Sequence, residues 1–278
     1  MVPRLIRLLE KTHKESEFFG RPFNVYPELL VYYGLSLANL GKFKEGEVYC
    51  EKALNFAHRM NHLSTLGIID FFYSWLFVVK GDGENIVRHA RNSIKYLEEG
   101  GFPLVLPTAW YMLGKGYYYL GDFENALTHV QKGLKMQKDL GFLYRRSTLY
   151  YGMSMIHLDL GDFKNAQNCA EKALNLAQEN HEEYVEGISW TLLGRVLGKK
   201  EHAQIDRAEE YILKGIKVLV ELKLKPYVSR GYFCLGEFYA DMGREEEALE
   251  YLKKAEDNFK EMGMDYYMNR TRRILDRL

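Results

Sequence analysis

The chain has 278 residues, 47% of them hydrophobic and 14% aromatic, with only six prolines, a balance that describes a well-buried helical protein and excludes a disordered one. Lys plus Arg and Asp plus Glu number 38 each, so no overall field draws nucleic acid or an acidic membrane surface. The longest apolar runs, such as residues 75–79, are far shorter than the roughly 20 residues of a membrane span, and residues 1–9 alternate arginine with leucine where a secretory signal has an apolar core.

In chain order, residues 3–19 read as a helix with Leu5, Leu8, Leu9 and Thr12 on one face. Glu10-Lys11-Thr12 aligns with Glu51-Lys52-Ala53 downstream, so this leading helix reads as the second half of a pair whose first half is missing, the sign of a cut end. A linker over residues 20–24 follows, and Pro27 opens the first complete helix pair, where its missing N–H is harmless. That pair is expected over residues 27–40 and 44–60, broken at Gly41. The second pair departs most from its neighbours: Asp70 stands where the third pair has Trp110, and Ile86 replaces a small residue, so local rearrangement is expected there. The third and fourth pairs turn at Leu-Gly-Asp-Phe, residues 120–123 and 160–163, where glycine supplies a left-handed cap and aspartate can N-cap the next helix. The fifth replaces that turn with a longer loop over residues 199–206, and the sixth turns at Met242-Gly243-Arg244. A final segment, residues 265–278, sets Tyr267, Ile274, Leu275 and Leu278 among Arg270, Arg272, Arg273 and Arg277, as a terminal cap with one dry and one wet face would.

Three tracks of small residues share one period. Gly34, Ser74, Gly114, Ser154, Gly194 and Gly236 are spaced 40, 40, 40, 40 and 42 residues apart. Gly46, Ala126, Ala166, Ala208 and Ala248 form a second track, interrupted by Ile86, and Ala53, Ser93, Gly133, Ala173, Gly215 and Ala255 form a third. Glycine inside a helix costs about 1 kcal/mol relative to alanine, so its periodic return signals close helix packing. The pattern predicts an all-α protein of stacked helix pairs, one continuous domain over residues 1–278 with a leading helix and linker at 1–22, six repeats at 23–264 and a capping helix at 265–278.

No catalytic or metal constellation is present in the sequence. His181-Glu182-Glu183 lacks the second histidine of a zinc-protease helix, Gly114-Lys115-Gly116 lacks the spacing of a phosphate loop, and residues 81–85 lack the later acidic ligands of a calcium loop. Cys50, Cys169 and Cys234 show no C-x2-C spacing and read as buried thiols, which fits a reducing, cytoplasmic setting. The expectation is a non-enzyme with no cofactor and no metal.

Residues 107–134 hold Trp110, Leu113, Gly114, Tyr117, Gly121, Ala126 and Gly133 at offsets that resemble the tetratricopeptide repeat (TPR). The resemblance implies a right-handed superhelix of about six repeats whose first helices line a concave groove. Carried over by register, the groove-facing side chains would include Phe71, Trp75, Tyr111, Lys115, Tyr118, Tyr119, Tyr151, Met155, Arg195, Lys199, Arg230 and Phe233. That lining is apolar in the second repeat, aromatic in the third and fourth, and mixed in charge in the fifth and sixth. It suits a protein or peptide partner, an amphipathic helix among them. It does not suit nucleic acid or a membrane.

At the level of the whole chain, the opening R-L-I-R-L-L-E-K with F-F-G-R-P-F-N, the stretch Glu209-Glu210-Tyr211-Ile212-Leu213-Lys214-Gly215-Ile216-Lys217, and Glu261-Met262-Gly263-Met264-Asp265-Tyr266-Tyr267 with Arg270-Thr271-Arg272 look like the C-terminal TPR region of large bacterial signalling proteins. In those proteins a class III adenylate or guanylate cyclase domain and a signal-transducing ATPase module come first. The resemblance implies a non-catalytic regulatory module that binds a protein or peptide and passes that state to upstream domains of the same polypeptide. Two other readings stand beside it: a sensor whose groove closes over a small apolar ligand, and a scaffold that self-associates as a homodimer through Leu5 and Leu8 at the N-terminal end.

Overall fold

The computed structural model describes residues 1–141, 145–200 and 204–278. Among them there is no strand, and fourteen α-helices follow one another: α1 (Val2–Lys11), α2 (Val25–Asn39), α3 (Phe43–Met60), α4 (Leu63–Lys80), α5 (Gly83–Glu99), α6 (Leu106–Tyr119), α7 (Phe123–Asp139), α8 (Arg146–Asp159), α9 (Phe163–Glu179), α10 (Glu183–Lys200), α11 (Ile205–Glu221), α12 (Lys225–Asp241), α13 (Glu245–Met262) and α14 (Asp265–Leu275). The helices fall into two compact bodies, Met1–Phe142 and Leu143–Leu278. The first holds α1 and three pairs, α2/α3, α4/α5 and α6/α7; the second holds α8/α9, α10/α11, α12/α13 and the single helix α14. Within each body the partners of a pair pack on one another and each pair packs on the next, the arrangement of a TPR-type α-solenoid.

Small residues set the distance within a pair. A methyl group on Gly114 would sit 2.7 Å from the Ala126 carbonyl oxygen, and one on Gly194 only 2.5 Å from that of Ala208. Both contacts join the first small-residue track to the second. Where serine takes the glycine's place, its hydroxyl is satisfied by a backbone carbonyl: Ser74 Oγ donates to Phe71 O over 2.7 Å and Ser154 Oγ to Ala166 O over 2.8 Å. On the third track Ser93 Oγ donates to Gly67 O over 2.8 Å. These buried hydroxyls cost little because each has its acceptor.

The turns follow the sequence closely. Gly121 and Gly161 adopt φ of +82° and +77°, left-handed values that glycine takes without strain. Asp82, Asp122 and Asp162 then cap the next helix by accepting from the backbone N–H of Asn85, Asn125 and Asn165, whose side-chain amides donate back to the same carboxylates. Of the loop expected over residues 199–206, the first two close α10 and the last two open α11; residues 201–203 lie outside the described residues.

Four expectations need correction. The leading helix ends at Lys11, because Thr12 bonds back to the Leu8 carbonyl and His13 turns left-handed at φ +52°. Its buried residue is Ile6, with Leu5 and Leu8 exposed at 40% and 53%; Glu10 tethers it through Tyr26 and Lys52 at 2.8 and 2.7 Å. The second pair is not rearranged. α4 and α5 pack closely, Ile86 is buried, and a methyl on Gly67 would come within 3.1 Å of the Leu97 backbone nitrogen, as one on Gly83 would of the Gly116 carbonyl oxygen at the α5–α6 contact. α14 buries Tyr267 and Thr271, while Ile274 and Leu275 are half-buried and Leu278 is exposed. Finally, α4 as a whole is 18 residues long and apolar enough, by length and composition, to cross a membrane, even though no single run in it is. In this structure most of it is buried among α2, α3, α5 and α6. Cys50 and Cys169 are buried, as expected, and Cys234 is half-buried.

A second periodic device escaped the sequence reading. Lys132, Lys172, Lys214 and Lys254 each hold their ammonium over an aromatic ring of the paired helix, respectively 3.3 Å from Trp110, 5.5 Å from Tyr150, 3.8 Å from Trp190 and 4.4 Å from Tyr232. A double-mutant cycle checks the interaction. Lys214→Met, which keeps the aliphatic stem, is expected to cost about 0.5–1 kcal/mol in urea unfolding, and the loss should vanish in a Trp190→Leu background.

Candidate binding surface on the first helices

The first helix of each pair forms one layer in its body: α2, α4 and α6 in the first, and α8, α10 and α12, continued by α14, in the second. The sequence-predicted residues lie on these helices, and the two bodies differ in chemistry.

In the first body the surface is aromatic and largely buried. Phe71 packs edge-on against Phe72 and Trp75, with ring centroids at 5.0 and 6.1 Å. On α6, Tyr118 and Tyr119 meet at 5.4 Å, and Lys115, only 1% exposed, places its ammonium 4.7 and 5.0 Å from their ring centres. The Tyr119 hydroxyl donates to the Val78 carbonyl over 3.2 Å, tying α6 to α4. Tyr111 is buried on the same helix.

In the second body the same layer carries an ionic ladder. Arg195 donates from Nε to Glu237 Oε2 over 2.6 Å, and its Nη2 lies 3.6 Å from Asp159 Oδ1. Lys199 reaches Glu237 at 3.6 Å and Asp241 at 2.6 Å. Arg270 comes from α14 to Asp159 over 3.4 Å, so groups on α8 and α14 meet across the face of α10 and α12. Arg230 donates to the Tyr151 hydroxyl over 3.0 Å and lies between the rings of Tyr227 and Tyr267, 5.0 Å from each centre. Phe233 carries the Arg270 guanidinium 5.6 Å above its ring, and Met155 is buried on α8.

Thus the structure brings Phe71 to Trp75, Lys115 to Tyr118 and Tyr119, Tyr151 to Arg230, and Arg195 to Lys199 through Glu237. Ten of the twelve predicted residues are buried and Lys199 and Arg230 are half-buried, so most of this lining packs on its own neighbours. Asp159, Glu237 and Asp241 stand at groove-facing register positions of the fourth and sixth repeats, and the residues missed are Tyr227, Tyr267 and Arg270. The signal for Arg270 was available, since it stands 40 residues after Arg230, at the same register position in the capping helix. Two cavities of about 350 and 430 Å3, one in each body, are lined by other residues, Trp110, Tyr117 and His129 among them in the first and Thr148, His181 and Tyr184 in the second. Among the described residues no three His, Cys, Asp or Glu side chains converge as metal ligands would.

Stacked helix pairs held at close distance by small residues define a TPR-type module of the regulatory and protein-interaction class. The chain belongs to the MalT-like TPR region family, whose model matches residues 67–274. Among solved structures it is similar to a Rap protein complexed with competence and sporulation factor, at 16% identity over 98% of this chain and 78% of that one with a TM-score of 0.68. The apo form of RapI gives the same TM-score of 0.68 at 12% identity, over 93% of this chain and 90% of that one. A signal transduction ATPase with numerous domains from Pyrococcus horikoshii, PH0952, which has a TPR sensor, matches at 16% identity and a TM-score of 0.57, over 97% of this chain but 42% of that one. These likenesses concern the fold. No curated protein matches the chain.

The ladder has a pH signature. Burial works against the Glu237 carboxylate, but the Arg195 guanidinium, with Lys199 and Arg270, overcomes it and takes its pKa from an ordinary 4.5 down to about 2. A depressed carboxylate stabilises the fold above its unfolded value and loses that contribution as pH falls toward the folded value. Between pH 4.5 and 2 the wild-type protein should therefore lose more stability to urea than Glu237→Gln, by on the order of 3 kcal/mol.

Proposed function

We propose that the chain is a non-catalytic regulatory module that binds a peptide or protein segment on the first-helix layer of its second body and passes the bound state to catalytic domains of a larger cytoplasmic signalling protein. The observation that carries this reading is the ionic ladder. Arg195, Lys199, Glu237, Asp159 and Arg270 lie on one layer, with the side chains of Lys199 and Arg270 still 31% and 25% exposed. Paired charges of this kind exchange internal partners for those of an incoming chain at little net cost, and they select the incoming chain by charge pattern more than by buried area.

Membership of the MalT-like TPR region family supports a regulatory role, and the PH0952 protein offers a parallel in which a TPR sensor belongs to a multidomain ATPase. The Rap protein solved with competence and sporulation factor offers a parallel for occupancy of such a fold by a partner. A cyclase or ATPase module upstream remains part of the proposal and would carry the chemistry.

Selection of a displayed random-peptide library on the full chain tests the reading. Enriched peptides should lose affinity at least about tenfold on Lys199→Ala and on Arg230→Ala, the latter removing a side chain held by Tyr151, Tyr227 and Tyr267. Enriched peptides indifferent to both substitutions would overturn it.

A further inference from the structure

At one position of the first helix, five repeats carry Leu30, Trp110, Tyr150, Trp190 and Tyr232; the second carries Asp70. Asp70 lies in α4, the most apolar helix of the chain, and is 0% exposed, while its partner His89 on α5 is 3% exposed. His89 Nδ1 and Asp70 Oδ1 are 2.7 Å apart. Arg88 Nη2 lies 3.3 Å from His89 Nε2, and a guanidinium can only donate. Nε2 therefore accepts, the ring proton sits on Nδ1, and Nδ1–H donates to Asp70. The imidazole is held there by Tyr73 and Phe77, whose ring centres lie 4.3 and 5.5 Å away. Asp70 Oδ2 is buried and meets no hydrogen-bond donor among the described residues.

We propose that the Asp70–His89 pair is a proton-operated latch between α4 and α5: with Asp70 protonated the first body closes tightly at this joint, and with Asp70 ionised the joint carries a buried charge that loosens it. A carboxylate satisfied on one oxygen and bare on the other is costly in an apolar core, and the neutral acid much less so. The surroundings do not cancel the charge. From α3 it is faced by His58 and from α5 by Arg88, while the Tyr73 phenol beside His89 donates to Glu51 over 2.7 Å. Burial prevails over the His89 hydrogen bond and the His58 and Arg88 charges, and holds the Asp70 carboxyl above the ordinary carboxylate range. A raised folded value means stability that is full in acid and lost as pH rises through it, the reverse of Glu237. The latch concerns the packing of the first body and stands whether or not a peptide binds the second.

Asp70→Asn reproduces the neutral acid in shape and still accepts from His89. Amide-exchange protection factors across α4 and α5 are expected to be about tenfold higher in Asp70→Asn than in the wild type near pH 8, with the two converging as pH falls to the ordinary aspartate range. Wild-type protection equal to or above the variant's at about pH 8, or a gap that does not close in acid, would overturn the latch. The wild type alone gives a second reading, free of any folding defect: the Asp70 carboxyl carbon should titrate above the usual carboxylate range in an NMR pH series. A midpoint within or below that range would overturn it as well.

Discussion

The structure depends on a contact in which no side chain takes part on one side. At Gly114 and Gly194 the α-carbon of a first helix lies so near a carbonyl oxygen of its partner that even a methyl group would intrude, at 2.7 and 2.5 Å. A chain gains from such a contact in dispersion and packing what it loses in helix propensity, because closely approached backbones bring the larger neighbouring residues into register on both sides. Small residues at a spacing of 40 to 42, glycine in four pairs and Ser74 and Ser154 in the other two, fix the spacing within each pair and leave the first helices free to vary where they face away from their partners.

That freedom is used differently in the two bodies. In the first, the layer is filled by rings, with one lysine buried between two tyrosines. In the second, the layer is charged, and its arginines are held by carboxylates and by tyrosine rings, which fix guanidinium orientation without discharging it. Buried ion pairs of this type give little net stability but specify geometry. The single carboxylate in the core of α4, Asp70, is the exception in a helix otherwise selected for apolar burial, and its cost falls on the joint between α4 and α5.

Much of this was legible in the sequence. The small-residue tracks named the helix pairs and placed their turns, because a steric requirement at a fixed period leaves few residue types to choose from. The Leu-Gly-Asp-Phe turns were legible for the same reason. The leading helix was not: its leucines suggested a face, but Glu10, anchored by Tyr26 and Lys52, decides which side is turned inward. Asp70 was visible as a departure from the repeat, yet its partner was not, since His89 belongs to the pair's other helix and only the fold brings the two together. Among the groove residues the register placed side chains on the right helices. It could not tell that Tyr118 or Phe233 would pack on neighbours within the layer, because facing residues compete for the same space in a way that spacing does not record. The lysine-over-aromatic pairs were readable as a period and passed unnoticed, as solvated lysines ordinarily do.

The close approach of paired helices is tested most directly by a volume series at one contact. Gly194 replaced in turn by Ala, Ser and Val, each measured by urea unfolding, should give stability that falls with each added atom, by about 1–3 kcal/mol at the first methyl. Helix propensity alone would act in the opposite direction, making Ala about 1 kcal/mol more stable than Gly. An alanine variant as stable as the parent or more so would contradict the packing described here.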